Sequence, residues 1–104
     1  MRIIAKSSLK SFWEKPNCSD AKGQLEAWHD FAIKADWSSP QDIKDAFRNA
    51  SICANNRVVF NISGNKYRLV VEIQYKSKSS IVWIKFIGTH AEYDEIDVEV
   101  VNEY

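Results

Sequence analysis

Apolar positions recur at helical spacing along the first half of the chain and at strand spacing along the second. Arg2 to Ala5 predicts a short strand. Ser7 or Ser8 then offers an N-cap, and Leu9, Phe12 and Trp13 repeat at helical intervals until Pro16 ends the run. Ser19 or Asp20 caps a second, longer helix. Its stripe of Ala21, Leu25, Trp28, Ala32 and Ala35 advances in steps of four and three, so one face is buried. Ser39-Pro40-Gln41-Asp42 combines a capping serine, a proline at the first helical position and an acid near the positive helix end. A short helix follows, with Ile43, Ala46 and Phe47 facing inward.

From Ser51 the period changes. Arg57-Val58-Val59-Phe60-Asn61-Ile62 reads as a strand, and Ser63-Gly64-Asn65-Lys66 as a turn in which Gly64 and Asn65 suit positive φ. Tyr67 to Tyr75 alternates: Tyr67, Leu69, Val71, Ile73 and Tyr75 take one side, Arg68, Val70, Glu72 and Gln74 the other. A polar loop, Lys76 to Ser80, leads to a third strand, Ile81 to Ile87, with Val82, Ile84 and Phe86 opposite Trp83 and Lys85. Gly88-Thr89 is expected to break that strand, and Thr89 to cap a last helix from His90 to Ile96. The order β-α-α-α-β-β-β-α predicts the α+β class: a small antiparallel sheet with helices packed on one face. The other face would carry Arg68 and Lys85 on adjacent strands, about 4.8 Å apart, close enough to share one patch.

Length and composition narrow the class. At 104 residues, 45% of them hydrophobic and 27% charged, the chain is expected to be one folded domain over residues 1–104 and not disordered. No apolar run approaches the roughly 20 residues of a membrane span, and the apolar stretch after Met1 is too short for a signal peptide. A cytoplasmic protein with no membrane partner is the expectation. Cys18 and Cys53 stand alone, without a CxxC or a nearby histidine, which argues against a zinc site or a disulfide scaffold. The three widely spaced glycines form no phosphate-cradling loop, and no cofactor is implied.

Net charge is zero, but the distribution is uneven. Residues 1–50 balance at +1, residues 51–90 at +5 with Glu72 their single acid, and residues 91–104 at −6. A basic middle and an acidic end are hidden in the total. Within the middle, Arg68 is either a solvated strand residue or an anion ligand. Lys85, flanked by Trp83, Ile84, Phe86 and Ile87, is either a snorkelling lysine or a phosphate ligand. His90 and Tyr93 are three apart on a helix and share a face. They either satisfy local backbone groups and pack on the sheet, or transfer protons, a task that an imidazole with a pKa of about 6.5 suits. His29 borders the apolar stripe of the second helix and reads as structural.

These parts fit one chemistry. RNA cleavage needs only that the substrate's own 2′-OH attack the adjacent phosphorus. The protein then supplies a proton acceptor, a donor for the leaving 5′-oxygen and cations for the growing phosphate charge. Arg68, Lys85, His90 and Tyr93 make such a set, and Trp83 or Tyr75 could stack a base.

Arg57-Val58-Val59-Phe60-Asn61-Ile62-Ser63-Gly64-Asn65-Lys66-Tyr67-Arg68-Leu69, followed by Phe86-Ile87-Gly88-Thr89-His90-Ala91-Glu92-Tyr93-Asp94, resembles the HigB-type toxins of the RelE superfamily. Trp37-Ser38-Ser39-Pro40 with Ile43, Lys44 and Phe47 resembles that family's middle helix, so the likeness spans about residues 37–96. The resemblance implies a type II toxin that cleaves mRNA in the ribosomal A site. It also implies neutralisation by a HigA-type helix-turn-helix antitoxin, through which alone the toxin meets operator DNA. It assigns Arg68 and Lys85 to the scissile phosphate and His90 and Tyr93 to acid–base and stacking roles, without saying which of the two is acid or base. It assigns Lys66 and Arg57 to RNA backbone contact; apart from the resemblance, Trp83 and Lys76 are also expected to bind RNA. A non-catalytic RNA- or partner-binding module on the same fold is the alternative. Toxins of this superfamily commonly end in a basic tail, whereas this chain ends in acids. Such a tail should slow encounter with phosphate-rich RNA unless it points away from the patch.

Overall fold

The computed structural model describes residues 1–76 and 79–104; Ser77 and Lys78, in the expected polar loop, lie outside the described residues. In chain order the elements are β1 (Arg2–Ile4), α1 (Ser7–Trp13), one 3-10 turn (Ser19–Ala21), α2 (Lys22–Lys34), α3 (Pro40–Ala46), β2 (Ser51–Ile52), β3 (Arg57–Ile62), β4 (Tyr67–Gln74), β5 (Ile81–Thr89) and α4 (His90–Tyr93). The fold is α+β, built on one five-stranded sheet in the order β1-β5-β4-β3-β2. The three expected strands pair antiparallel, β3 with β4 and β4 with β5. The sheet as a whole is nevertheless mixed, because β1 lies parallel to β5, with Arg2 opposite Ile81 and Ile4 opposite Trp83. A parallel neighbour needs a long crossover, which the intervening helices and strands supply.

β2 was not anticipated. It pairs with β3 across a tight turn in which Asn55 and Asn56 both adopt positive φ, 60° and 58°. Asparagine tolerates that region because its short side chain can bond locally. In the β3–β4 turn the positive φ values fall on Ser63 and Gly64, not on Asn65.

Helix starts follow the expected chemistry at two places. Ser39 is extended and Pro40 opens α3, while the Asp42 carboxylate accepts from the Ser38 N–H at 2.9 Å. Thr89 and Glu92 form a full capping box: the Glu92 N–H donates to Thr89 Oγ1 at 3.2 Å and the Thr89 N–H to Glu92 Oε1 at 2.8 Å. Elsewhere the expected caps are replaced. Ser7 and Ser8 lie inside α1, where Ser8 Oγ donates to Ala5 O at 2.5 Å. Asp20 belongs to the 3-10 turn and spends its carboxylate on Lys66 and on Tyr67, the first residue of β4.

One sheet face takes the main core. Leu9 and Phe12 of α1, Leu25 and Trp28 of α2, and Ile43 of α3 pack on the inward residues of β3, β4 and β5. Phe60 is the aromatic hub, with Phe47 edge-on at 5.1 Å and Trp37 stacked at 6.1 Å. Ala46, expected inward, is exposed at the end of α3.

The opposite face is not bare. Val59, Val70 and Phe86 form a second core with Val101, and Tyr93, Ile96 and Val98 pack against it. The chain after α4 therefore folds back over the sheet, so α4 ends at Tyr93 and not at Ile96. A β-bulge makes this core possible. Val70 faces Phe86 while Val71 faces Ile84, leaving Lys85 as the extra residue. The bulge moves Phe86 to the face opposite Ile84, correcting the expectation that Val82, Ile84 and Phe86 share one side. Nor does Gly88 break the strand. It pairs with Arg68, and a Cβ there would lie 2.6 Å from the Phe86 ring, which uses the space a side chain would fill.

Candidate functional site

The second sheet face has a different character at each end. At one end, Arg68 stands on β4 opposite Gly88. Its Nη1 donates to Asn65 O at 2.9 Å and to Tyr67 O at 3.3 Å, and its guanidinium carbon lies 5.7 Å from the Tyr93 ring centre. That is cation–π range, and it leaves most of the guanidinium's five N–H donors uncommitted. Burial pushes the Tyr93 phenol above its ordinary pKa, so the hydroxyl keeps its proton at neutral pH. His90 opens α4, its backbone N–H donating to Lys66 O at 3.0 Å. Its ring is 55% exposed, with Nε2 3.8 Å from Asp94 Oδ1. The capping box roots α4 on Thr89, which pairs with Tyr67; Tyr93 thereby meets Arg68, while His90 stands at the start of the same helix with its backbone on Lys66.

Lys85 belongs to the other end. Its Nζ lies 2.8 Å from Asn102 Oδ1 and 3.5 Å from Glu72 Oε1, with the side chain only 13% exposed. Arg68 and Glu72 are four residues apart on β4, about 13 Å at the rise of a strand. The Val70–Phe86 pair and Val101 fill the space between. Arg68 and Lys85 thus share a sheet face but do not converge, contrary to the sequence expectation. The cause is the bulge, which turns Lys85 toward Glu72.

Arg57, expected to touch RNA, is buried. Its guanidinium meets Glu72 Oε1 at 3.0 Å and donates to Val98 O at 3.1 Å and Val101 O at 3.0 Å. It clamps the C-terminal segment onto the sheet. Lys66 is exposed and paired with Asp20 at 2.5 Å, and Asp20 also accepts from the Tyr67 hydroxyl. These bonds hold the Asp20 carboxyl below its ordinary pKa and raise that of Lys66. Lys76 is exposed just beyond β4, and Trp83 is half-buried opposite Glu72. Tyr75 packs on the main core, which leaves Trp83, of the two expected stacking aromatics, on this face. His29 is buried on α2, as its place beside the stripe indicated.

Sequence reasoning missed Glu72, the group that joins Arg57 to Lys85; its signal was that it is the single acid among residues 51–90. It also missed Asn102. The acidic end does not point away: Glu103 N–H donates to Lys85 O at 3.0 Å, so the tail lies along β5 on the basic face. Both cysteines are free, and among the described residues no group of three or more His, Cys, Asp and Glu gathers where a metal could be held.

Residues 21–96 match the family model described as HigB_toxin, RelE-like toxic component of a toxin-antitoxin system. A protein of Escherichia coli O6:H1 named mRNA interferase HigB is 29% identical over 99 residues, covering 92% of this chain and 91% of its own length. The family match takes in β4, β5 and α4, the elements that carry Arg68, His90 and Tyr93. The chain belongs to the HigB toxin family and is a RelE-like toxic component of a toxin–antitoxin system.

Proposed function

We propose that this toxin is an endoribonuclease that cuts mRNA on the ribosome, in the A site, by attack of the substrate's 2′-OH on the adjacent phosphorus. Support comes from the family, from the relative named as an mRNA interferase, and from the Arg68–Tyr93 contact with His90 on the same helix as Tyr93. The observation that carries the reading is the Arg68 guanidinium held over the Tyr93 ring with donors to spare, an exposed imidazole opening the same helix as Tyr93. Arg68 holds the scissile phosphate and stabilises the charge that builds on it. His90 takes the 2′-OH proton, since the Tyr93 phenol stays protonated at neutral pH and is available to donate to the leaving 5′-oxygen. This chemistry requires neither metal nor cofactor. Lys66 and Lys76 contribute backbone attraction, and Lys85 a more distant positive charge.

As the toxic component of such a system, the protein has an antitoxin partner. In this reading the antitoxin is of HigA type, with a helix-turn-helix domain, and it alone contacts operator DNA. The test is expression of the chain in a purified translation reaction with mapping of mRNA ends, for the native chain and Arg68→Ala. Cleavage that falls by about 10² or more in the variant supports the assignment, since one lost electrostatic contact in a transition state has that effect. Transcripts left whole by the native protein would instead favour a binding module.

A further inference from the structure

A cavity on the same face lies apart from Arg68, His90 and Tyr93. It has a volume of about 420 Å³ and lies where β4 runs past the end of β3. Trp83 and Lys85 form one wall, Glu72 and Gln74 another, and Asn56 closes the end. The volume falls at the lower end of the small-ligand range. Trp83 and Glu72 are cross-strand partners, so the indole stands directly beside the carboxylate. Asn56 is fixed at positive φ, and its carbonyl is pinned by the Ile73 N–H at 2.9 Å.

The donor set is selective. Glu72 Oε1 already accepts from Arg57 at 3.0 Å and faces Lys85 at 3.5 Å, so the one carboxylate that lines the pocket is paired with two cations. Gln74 is exposed, and its side-chain amide makes no hydrogen bond within the described residues; nor does that of Asn56. Each amide has both donors and an acceptor, the pattern needed to read a base edge. A flat aromatic face, two free amides and a nearby ammonium suit a planar, hydrogen-bonding ring on a phosphate backbone.

We infer that this pocket is a nucleobase subsite: an unpaired base of the RNA stacks on Trp83 while Asn56 and Gln74 read its edge. This rests on the RNA-cleaving reading above and deepens it. The subsite lies about 13 Å along β4 from Arg68, about four nucleotides at roughly 3.4 Å of stacked rise and fewer if the strand is extended. It therefore sets base preference at a position removed from the cut, without touching the reacting atoms.

The test is binding of the toxin to ribosomes programmed with a 2′-deoxy-substituted, uncleavable mRNA, read by fluorescence anisotropy, together with cleavage of a randomised mRNA pool on the same ribosomes. Trp83→Ala should weaken binding by about 5- to 100-fold, the range of one lost base stack, and Trp83→Phe should restore most of it. Gln74→Ala, a surface change that spares the fold, should flatten base preference at one position on one side of the cut. Native binding without cleavage, weakened in Trp83→Ala, would keep the subsite while sinking the nuclease. Cleavage or binding by Trp83→Ala and Gln74→Ala with native strength and native preference would overturn the subsite alone. No binding by the native protein would overturn both.

Discussion

Gly88 shows how a single residue serves the site. It sits opposite Arg68 in the β4–β5 ladder, and the Phe86 ring packs where its side chain would be. A methyl group there would stand 2.6 Å from Phe86 Cζ, and Phe86 is only 4% exposed, so the ring has little room to yield. Gly88→Ala should cost about 1–3 kcal/mol in urea unfolding, the usual penalty of overpacking. Combining it with Phe86→Leu should recover part of that loss; strictly additive losses would show that the ring is not the cause. Arg57 is the second instructive residue. It reads as a surface cation at a strand start, yet it bonds Glu72 and two carbonyls of the C-terminal segment. Arg57→Ala leaves those acceptors without their donor and should destabilise by about 2–3 kcal/mol, less than a fully buried pair because Glu72 is partly exposed. An unfolding midpoint unchanged by Arg57→Ala would contradict the clamp.

At the scale of elements, what could be read in advance was whatever is local. The alternation from Tyr67 to Gln74, the steps of four and three along α2, the Ser39-Pro40 start and the Thr89–Glu92 box all act within a few residues, and the structure has them. The missing features depend on a partner strand. A bulge exists only in a register, so the pattern Ile84-Lys85-Phe86 cannot by itself say that Phe86 changes face. The parallel pairing of β1 with β5 joins the first residues of the chain to residues near 81, a contact that no local spacing encodes. The C-terminal segment was obscured by its acids. Val98 and Val101, three apart amid Glu99, Asp97 and Glu103, read as a solvated end, yet they close the second core. The site divides the same way. The placement of Arg68 on the outer sheet face and of His90 and Tyr93 on one helix was legible from strand alternation and helix spacing, whereas the diversion of Lys85 to Glu72 and Asn102 follows from the bulge and the returning tail.

For the whole molecule, one sheet carries a larger core on its helical face and a smaller one, beside the proposed site, on the other. The helical side holds the larger core and the buried His29, whose burial lowers its pKa from the ordinary 6.5, with Lys6 pushing the same way and Asp30 opposing. The folded protein therefore prefers the neutral ring, and the unfolded chain binds that proton more tightly. Stability from this group is complete above about pH 6.5 and is lost as pH falls from there through the lower folded-state value. The urea midpoint of the native chain should fall between about pH 7 and 5.5, and His29→Gln should show a shallower decline. Equal slopes would mean that His29 is not buried as described.

On the other side, the proposed chemistry has the substrate's own 2′-OH as the nucleophile, served by Arg68, His90 and Tyr93. The chemical nature of the RNA ends tests that most directly. Mass spectrometry of fragments from the native toxin should find a 2′,3′-cyclic phosphate on the upstream piece and a 5′-hydroxyl on the downstream piece. An upstream 3′-hydroxyl with a downstream 5′-phosphate would mean that water attacked instead, and would contradict the account.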